Sequence, residues 1–228
     1  MIKIALDPGH FGGTLSVLED RHFVFSANEP VKEGDLNLKV SLLLKQMLEE
    51  AGIKVLLSRG SYKNFKTGLK FTLKDFQNFK LQNWNKRVLK INKFKPDLTI
   101  AIHFNSNCYS SNIVKTEVNG VMTFIYSKDK ELVKWAEIVS KNLSADFKLP
   151  FCEKKWFLKD VALLWEDLGN GVNFRELFIL KNVKSPIVLT EGPLMNNLEV
   201  YRSLISDDSL QVVYARSLFK SIKEVFLV

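Results

Sequence analysis

Cysteine is scarce in this chain. The two present, Cys108 and Cys152, form no CxxC pair and no thiolate metal spacing. Neither a disulfide framework nor a zinc ribbon is therefore expected, and the two read as independent thiols. Glycine (11) and proline (6) are too few for a fibrous or linker-like polymer. No apolar run approaches the roughly 18–20 residues that span a bilayer, which excludes a transmembrane helix. Met1 leads straight into Ile2-Lys3-Ile4-Ala5-Leu6, too short for the apolar segment of a secretory signal. The chain is accordingly expected to be cytoplasmic as synthesised, unless a leader has been removed. Repeats, linkers and low-complexity segments are absent too, so residues 1–228 are expected to form a single domain.

What is present suits a folded domain. Over 228 residues, 46% are hydrophobic and 25% charged, enough for a sizeable core and against wholesale disorder. Thirty-three Lys and Arg against 25 Asp and Glu leave a net charge of +8. A basic protein meets polyanions easily, whether nucleic acid, an anionic wall polymer or a membrane surface. The lysines are scattered, however, with no block of five basic residues, which is also the pattern of a merely soluble surface.

Strand and helix signals alternate. Ile2 to Leu6 is a short apolar run that ends in the turn signal Asp7-Pro8-Gly9. Residues 7–35 carry no clear period and read as a long loop, a feature usually tied to function in compact domains. Leu36, Val40, Leu43, Leu44, Met47, Leu48 and Ala51 share one helical face. Asp35 is the expected N-cap and Gly52 the expected stop. Ile53 to Ser58 then reads as a strand, completing a β-loop-α-β unit with a right-handed crossover. Residues 60–72 read as an irregular basic loop, and 73–93 as a second helix. Further strands are expected at Leu98–Ile102, Gly120–Tyr126 and Ile187–Thr190, and further helices at 129–146 and 208–226. Residues 147–185 have no readable period. The fold class expected is α/β, a mainly parallel (mixed) twisted sheet flanked by helices.

Chemistry gathers at strand ends. Of the three histidines, His10 follows the first strand and His103 closes another, in Ile100-Ala101-Ile102-His103-Phe104-Asn105. Ligands of open parallel sheets bind beyond the carboxyl ends of the strands, so two imidazoles delivered there can share a metal. Imidazole suits zinc, and a catalytic zinc commonly takes three protein ligands and a water. Glu33 is the leading third ligand, since it stands at the entrance of the strong helix, where the dipole favours a carboxylate. Glu191 ends the strand Ile187–Thr190 and is free to move a proton. The plainer alternatives are packing histidines, a helix-start charge at Glu33 and a loop carboxylate at Glu191. His22 reads as surface or substrate-facing, and Glu19 and Asp20 are rival carboxylates in the same loop.

Four stretches together carry a resemblance: Asp7-Pro8-Gly9-His10, Glu33-Gly34-Asp35-Leu36-Asn37-Leu38, Ala101-Ile102-His103-Phe104-Asn105-Ser106 and Leu189-Thr190-Glu191-Gly192. Their order and context resemble the zinc-dependent N-acetylmuramoyl-L-alanine amidases of the amidase_3 group. Gly52 to Arg59 is similar to that family's second strand and following arginine. Leu81 to Asn92, with Arg87 and Asn92, is similar to its helix before the next strand. The resemblance spans residues 2–197. It implies Zn2+ held by His10, Glu33 and His103 at the carboxyl edge of the strands, with Glu191 as catalytic residue. It also implies hydrolysis of the amide between N-acetylmuramic acid and L-alanine. The implied partners are peptidoglycan and muropeptides, with no nucleic acid. The implied place of action is the cell wall, in periplasm or envelope or in phage-type lysis. The chain departs from the pattern in Phe11 after His10, in Gly192-Pro193 after Glu191, in the long 13–32 loop and in 147–180.

Two other classes stay open on sequence. One is a zinc hydrolase of another amide, a peptidase or deacetylase. The other is a metal-free basic module for nucleic acid, for which the mixed aromatic and basic stretch Phe65 to Phe79 is the only local signal. Steep salt dependence of DNA affinity without zinc would mark that last class.

Overall fold

The computed structural model describes residues 1–23, 30–61, 72–107 and 116–227. Its centre is a seven-stranded sheet. In chain order the strands are β1 (Lys3–Pro8), β4 (Lys54–Leu57), β5 (Leu98–Asn105), β6 (Met122–Ile125), β7 (Trp165–Gly169), β8 (Val172–Arg175) and β9 (Ile187–Leu194). The spatial order is β4-β1-β5-β9-β6-β8-β7. β4, β1, β5 and β9 run parallel, while β6 is antiparallel to β9 and β7 antiparallel to β8. A separate two-stranded ribbon joins β2 (His22–Phe23) to β3 (Val31–Lys32). The result is one mixed, mostly parallel α/β domain, as the alternating sequence pattern predicts.

Period-two alternation decides which helices cover which face. Ile4, Leu6, Ile100, Ile102, Phe104 and Val188 point to one side. There they meet α2 (Glu33–Glu50), α4 (Lys130–Phe147) and α8 (Ser209–Phe226) through Val40, Leu44, Leu48, Val139, Leu143, Leu218 and Ile222. Ala5, Ala101, Met122, Phe124 and Leu189 point to the other side. They pack on α3 (Leu73–Phe94) and α6 (Phe178–Asn182) through Val88, Ile91 and Leu180. His103 and Glu191 sit in the same alternation as Ala101 and Leu189, so they belong to the α3 face.

Several expectations shift in detail. α2 begins at Glu33, with Lys32 in the cap position. Asp35 does not cap the helix, because its carboxylate accepts the backbone N–H of Gly13 at 3.0 Å. The 7–35 stretch is not all loop, since it holds α1 (Leu15–Leu18) and the β2–β3 ribbon. The unread 147–185 stretch contains a 3-10 turn at Lys154–Trp156, α5 (Lys159–Ala162), the β7–β8 hairpin and α6. A further helix, α7 (Leu198–Ser206), precedes α8. Most of the basic 60–72 loop, and Cys108, lie outside the described residues. Among the described residues, no helix is long and apolar enough to cross a membrane.

Candidate active site and metal centre

β1 delivers the first functional side chain. Its last residue pairs with Ile102 of β5, and Gly9 continues the ladder by donating its N–H to the Ile102 carbonyl at 2.9 Å. The chain then turns sharply, and His10 takes φ 55°, the left-handed region that non-glycine residues seldom occupy. Two buried arginines hold that turn. Arg59 donates to the carbonyls of Pro8, Gly9 and Gly34 at 2.7–2.8 Å. Arg87 donates to those of Pro8 and His10 at 2.9 and 3.0 Å. Four of these contacts pin the turn where a histidine must be aimed, and the fifth ties it to the start of α2.

Two glycines let the parts approach. A Cβ on Gly9 would lie 2.1 Å from Cε1 of His103, and one on Gly34 would lie 1.9 Å from the Phe11 carbonyl oxygen. The first clearance lets the His103 ring lie against β1. The second lets the start of α2, and with it Glu33, press against the histidine loop.

His10, Glu33 and His103 converge. Glu33 Oε2 lies 3.4 Å from His10 Nε2, and Glu33 Oε1 lies 3.2 Å from His103 Nδ1. The two imidazoles meet edge to face with centroids 4.8 Å apart. Among the described residues these three form the one group able to offer three ligand atoms to a metal ion, all within 4.8 Å of one another. Asn37, one turn along α2, donates to both Glu33 Oε1 and the Gly9 carbonyl at 3.2 Å.

Glu191 stands beside His103, its partner in the β5–β9 register. The two glutamates are held in opposite states. Burial opposes ionisation of Glu33, but His10, His103 and Arg21 outweigh it and keep its carboxyl below the ordinary value. Burial, reinforced by the negative charge of Glu33, pushes Glu191 well above the ordinary value, against the pull of His10, Arg175 and Arg21. Neighbouring carboxylates driven apart in this way are the usual arrangement for acid–base work.

Two cavities open on either side of these groups, and His10, Arg21, Arg175 and Glu191 line both. One has an apolar wall that includes Phe157, Val161 and Trp165, with Asn105 and Asn107 at its polar side. The other carries Lys80, Trp84 and Phe178, with the Trp84 and Phe178 rings 5.4 Å apart. Arg175 stands over the rings of Phe124 and Trp165 at 5.6 and 5.8 Å. Cys152 is a half-buried free thiol 3.7 Å from Asn105 Nδ2, and desolvation, with the nearby Glu191 charge, pushes its pKa upward.

The structure thus brings together His10, Glu33, His103 and Glu191. His22 stays half-buried in the ribbon opposite Lys32, outside the cluster. Of the rival carboxylates, Glu19 reaches the site, touching His10 Nδ1 at 3.2 Å. Arg21, Arg175 and Lys80 are not singled out by sequence reasoning. Each lies on a segment without readable periodicity or is one of many scattered cations.

A family model described as N-acetylmuramoyl-L-alanine amidase matches residues 4–224. No curated protein matches the chain. Among solved structures, the chain is similar to the CwlD amidase from Clostridioides difficile in complex with the GerS lipoprotein. That match has a TM-score of 0.69 and 19% identity, over 100% of this chain and 99% of that one. It is also similar to the N-acetylmuramyl-L-alanine amidase Ami1 from Mycobacterium smegmatis, with a TM-score of 0.68 and 17% identity over 98% and 96% of the two chains. AmiC2 of Nostoc punctiforme gives a TM-score of 0.66 and 18% identity over 100% and 98%.

Proposed function

This chain belongs to the N-acetylmuramoyl-L-alanine amidase family, and from that premise we propose a zinc-dependent hydrolase of the amide between N-acetylmuramic acid and L-alanine. In this reading residues 1–228 are one catalytic domain. His10, Glu33 and His103 hold the zinc, Glu191 moves the proton, and the substrate is cell-wall peptidoglycan or its soluble muropeptides, reached outside the cytoplasm.

The spacing of the donor atoms is the observation that carries it. Tetrahedral zinc with bonds of about 2.0–2.1 Å sets its ligand atoms about 3.3–3.4 Å apart. Glu33 meets His10 Nε2 at 3.4 Å through Oε2 and His103 Nδ1 at 3.2 Å through Oε1, and one ligand atom from each of the three residues lies within 4.8 Å of the others, a cluster that a bound ion would draw in slightly. Two neutral imidazoles and one carboxylate also suit zinc chemically, and leave room for a water and a substrate oxygen. When bound, zinc supplies Lewis acidity and a water of lowered pKa.

The chain's own residues supply the rest. Glu191, raised by burial and by Glu33, is a stronger base than an exposed glutamate once it ionises. It takes the water proton and returns it to the departing alanine nitrogen. Arg59 and Arg87 hold the His10 loop still, and Asn37 fixes the Glu33 carboxylate. Phe157 and Trp165 line the cavity beside Glu191, where their apolar wall would keep bulk water from one side of a bound substrate.

Metal analysis of the purified protein, paired with mass spectrometry of a muropeptide digest, tests the proposal. About one zinc per chain is expected, lost in His10→Ala and His103→Ala. The digest should release free stem peptides beginning with L-alanine. Zinc retention in both variants would sink the ligand assignment. Cleavage at another amide would favour the peptidase or deacetylase reading.

A further inference from the structure

We propose that Glu19 is the positioning carboxylate of this metal centre: it holds the His10 proton on Nδ1 and so keeps Nε2 bare and aimed at the metal. The inference rests on the zinc reading above. His10 faces Glu33 with Nε2 and Glu19 with Nδ1, at 3.4 and 3.2 Å. Nδ1 is buried and makes no formed hydrogen bond, and the polar contact given for it among the described residues is the Glu19 carboxylate at 3.2 Å.

Glu19 is built in for such a task. It follows α1, and its side chain is 1% exposed. Its Oε2 accepts the backbone N–H of Phe11 at 2.8 Å, which ties it to the residue next to His10. Its Oε1 lies 3.3 Å from Lys80 Nζ, and that ammonium sits 4.7 Å from the Trp84 ring centroid. Its two oxygens therefore face a backbone donor and an ammonium, the surroundings of a carboxylate rather than of a neutral acid. An ionised carboxylate only accepts hydrogen bonds. The nitrogen opposite it must therefore carry the proton, and the other nitrogen carries the lone pair. The strained backbone at His10 places the ring, and Glu19 selects its tautomer. Carboxylates placed behind ligating histidines in this way contribute roughly 10–100-fold in metal affinity.

Glu19→Gln separates this role from a purely structural one. Glutamine keeps the length and an oxygen for the Phe11 N–H. It turns an NH2 towards Nδ1, which favours the tautomer protonated on Nε2. Zinc affinity, measured by chelator competition, is expected to fall roughly 10–100-fold, while the melting temperature of the metal-free protein stays within a few degrees. Long-range 1H–15N spectra of zinc-loaded wild type should show His10 Nδ1 protonated and Nε2 metal-bound. Wild-type zinc affinity in Glu19→Gln, or a His10 Nδ1 without its proton, would overturn the proposal. If Glu19→Gln does not fold, the wild-type spectrum decides alone. A wild-type protein that binds no zinc would overturn the metal reading itself, a result distinct from zinc held equally well by both proteins.

Discussion

Glu33 and Glu191 are buried at one sheet edge, and their surroundings push them apart. Glu191→Gln keeps shape and removes the base, so turnover on muropeptides should fall roughly 10²–10⁴-fold with zinc content unchanged. Because the Glu191 pKa is raised, its ionised form is lost at a higher pH than for an ordinary glutamate. The acid limb of kcat/KM should therefore lie above about pH 4.3 and disappear in the variant. Glu33→Gln should lose zinc instead, since an amide is a poorer ligand than a carboxylate. The opposite pattern would mean that the two roles are exchanged. At Gly9 the constraint is steric. A methyl group there meets the His103 ring at 2.1 Å, so Gly9→Ala should displace that ring and weaken zinc binding at least tenfold, read by the same chelator titration.

At the scale of elements, α8 reaches back into the site. Tyr214 is fully buried. Its hydroxyl donates to the His103 carbonyl at 2.9 Å and lies 2.7 Å from Thr190 Oγ1, so one side chain ties β5 to β9 beside both His103 and Glu191. Tyr214→Phe removes that tie and leaves buried polar groups short of a partner, at about 1–3 kcal/mol. The expected fall in melting temperature is several degrees, at about 2–4 °C per kcal/mol for a chain of this size. No fall would show that the tie contributes nothing. The parts of the fold legible in sequence are those where one physical signal dominates. The apolar face of α2 from Leu36 to Leu48 is periodic over more than three turns and is readable without tertiary context. The start of α2 is not, because Asp35 is drawn to the Gly13 N–H and Glu33 is placed by donating its own N–H to the Arg21 carbonyl at 3.1 Å. The β7–β8 hairpin escaped for a different reason. Its Gly169-Asn170-Gly171 turn, all three at positive φ, is a strong signal, but its strands are short and half exposed. In the site, strand-end position was enough to find His10, His103 and Glu191. Glu19 was only a rival, since what it faces depends on a turn at His10 that no periodicity encodes.

Over the whole molecule, the net charge of +8 would favour a polyanionic wall as the surface on which the proposed substrate is met. Exposed charges are screened beyond about 8–10 Å near physiological ionic strength, so activity on intact walls should fall as salt rises, while activity on small soluble muropeptides changes less. Equal salt sensitivity on both substrates would make the charge a solubility feature. The proposed metal site would have a consequence at this scale as well. Its three donors come from the end of β1, the start of α2 and the end of β5. A bound ion is then a cross-link, closing the chain between His10 and Glu33 and again between Glu33 and His103. The first of these loops carries the ribbon and the short α1, elements with little core of their own, and loop closure suppresses just such local opening. Hydrogen exchange should therefore report the metal unevenly. On chelation, the amides of Phe11, Gly13 and Glu33 should lose protection by orders of magnitude more than those of β7 and β8. The ion that activates water would also be the clasp that keeps the histidine loop shut.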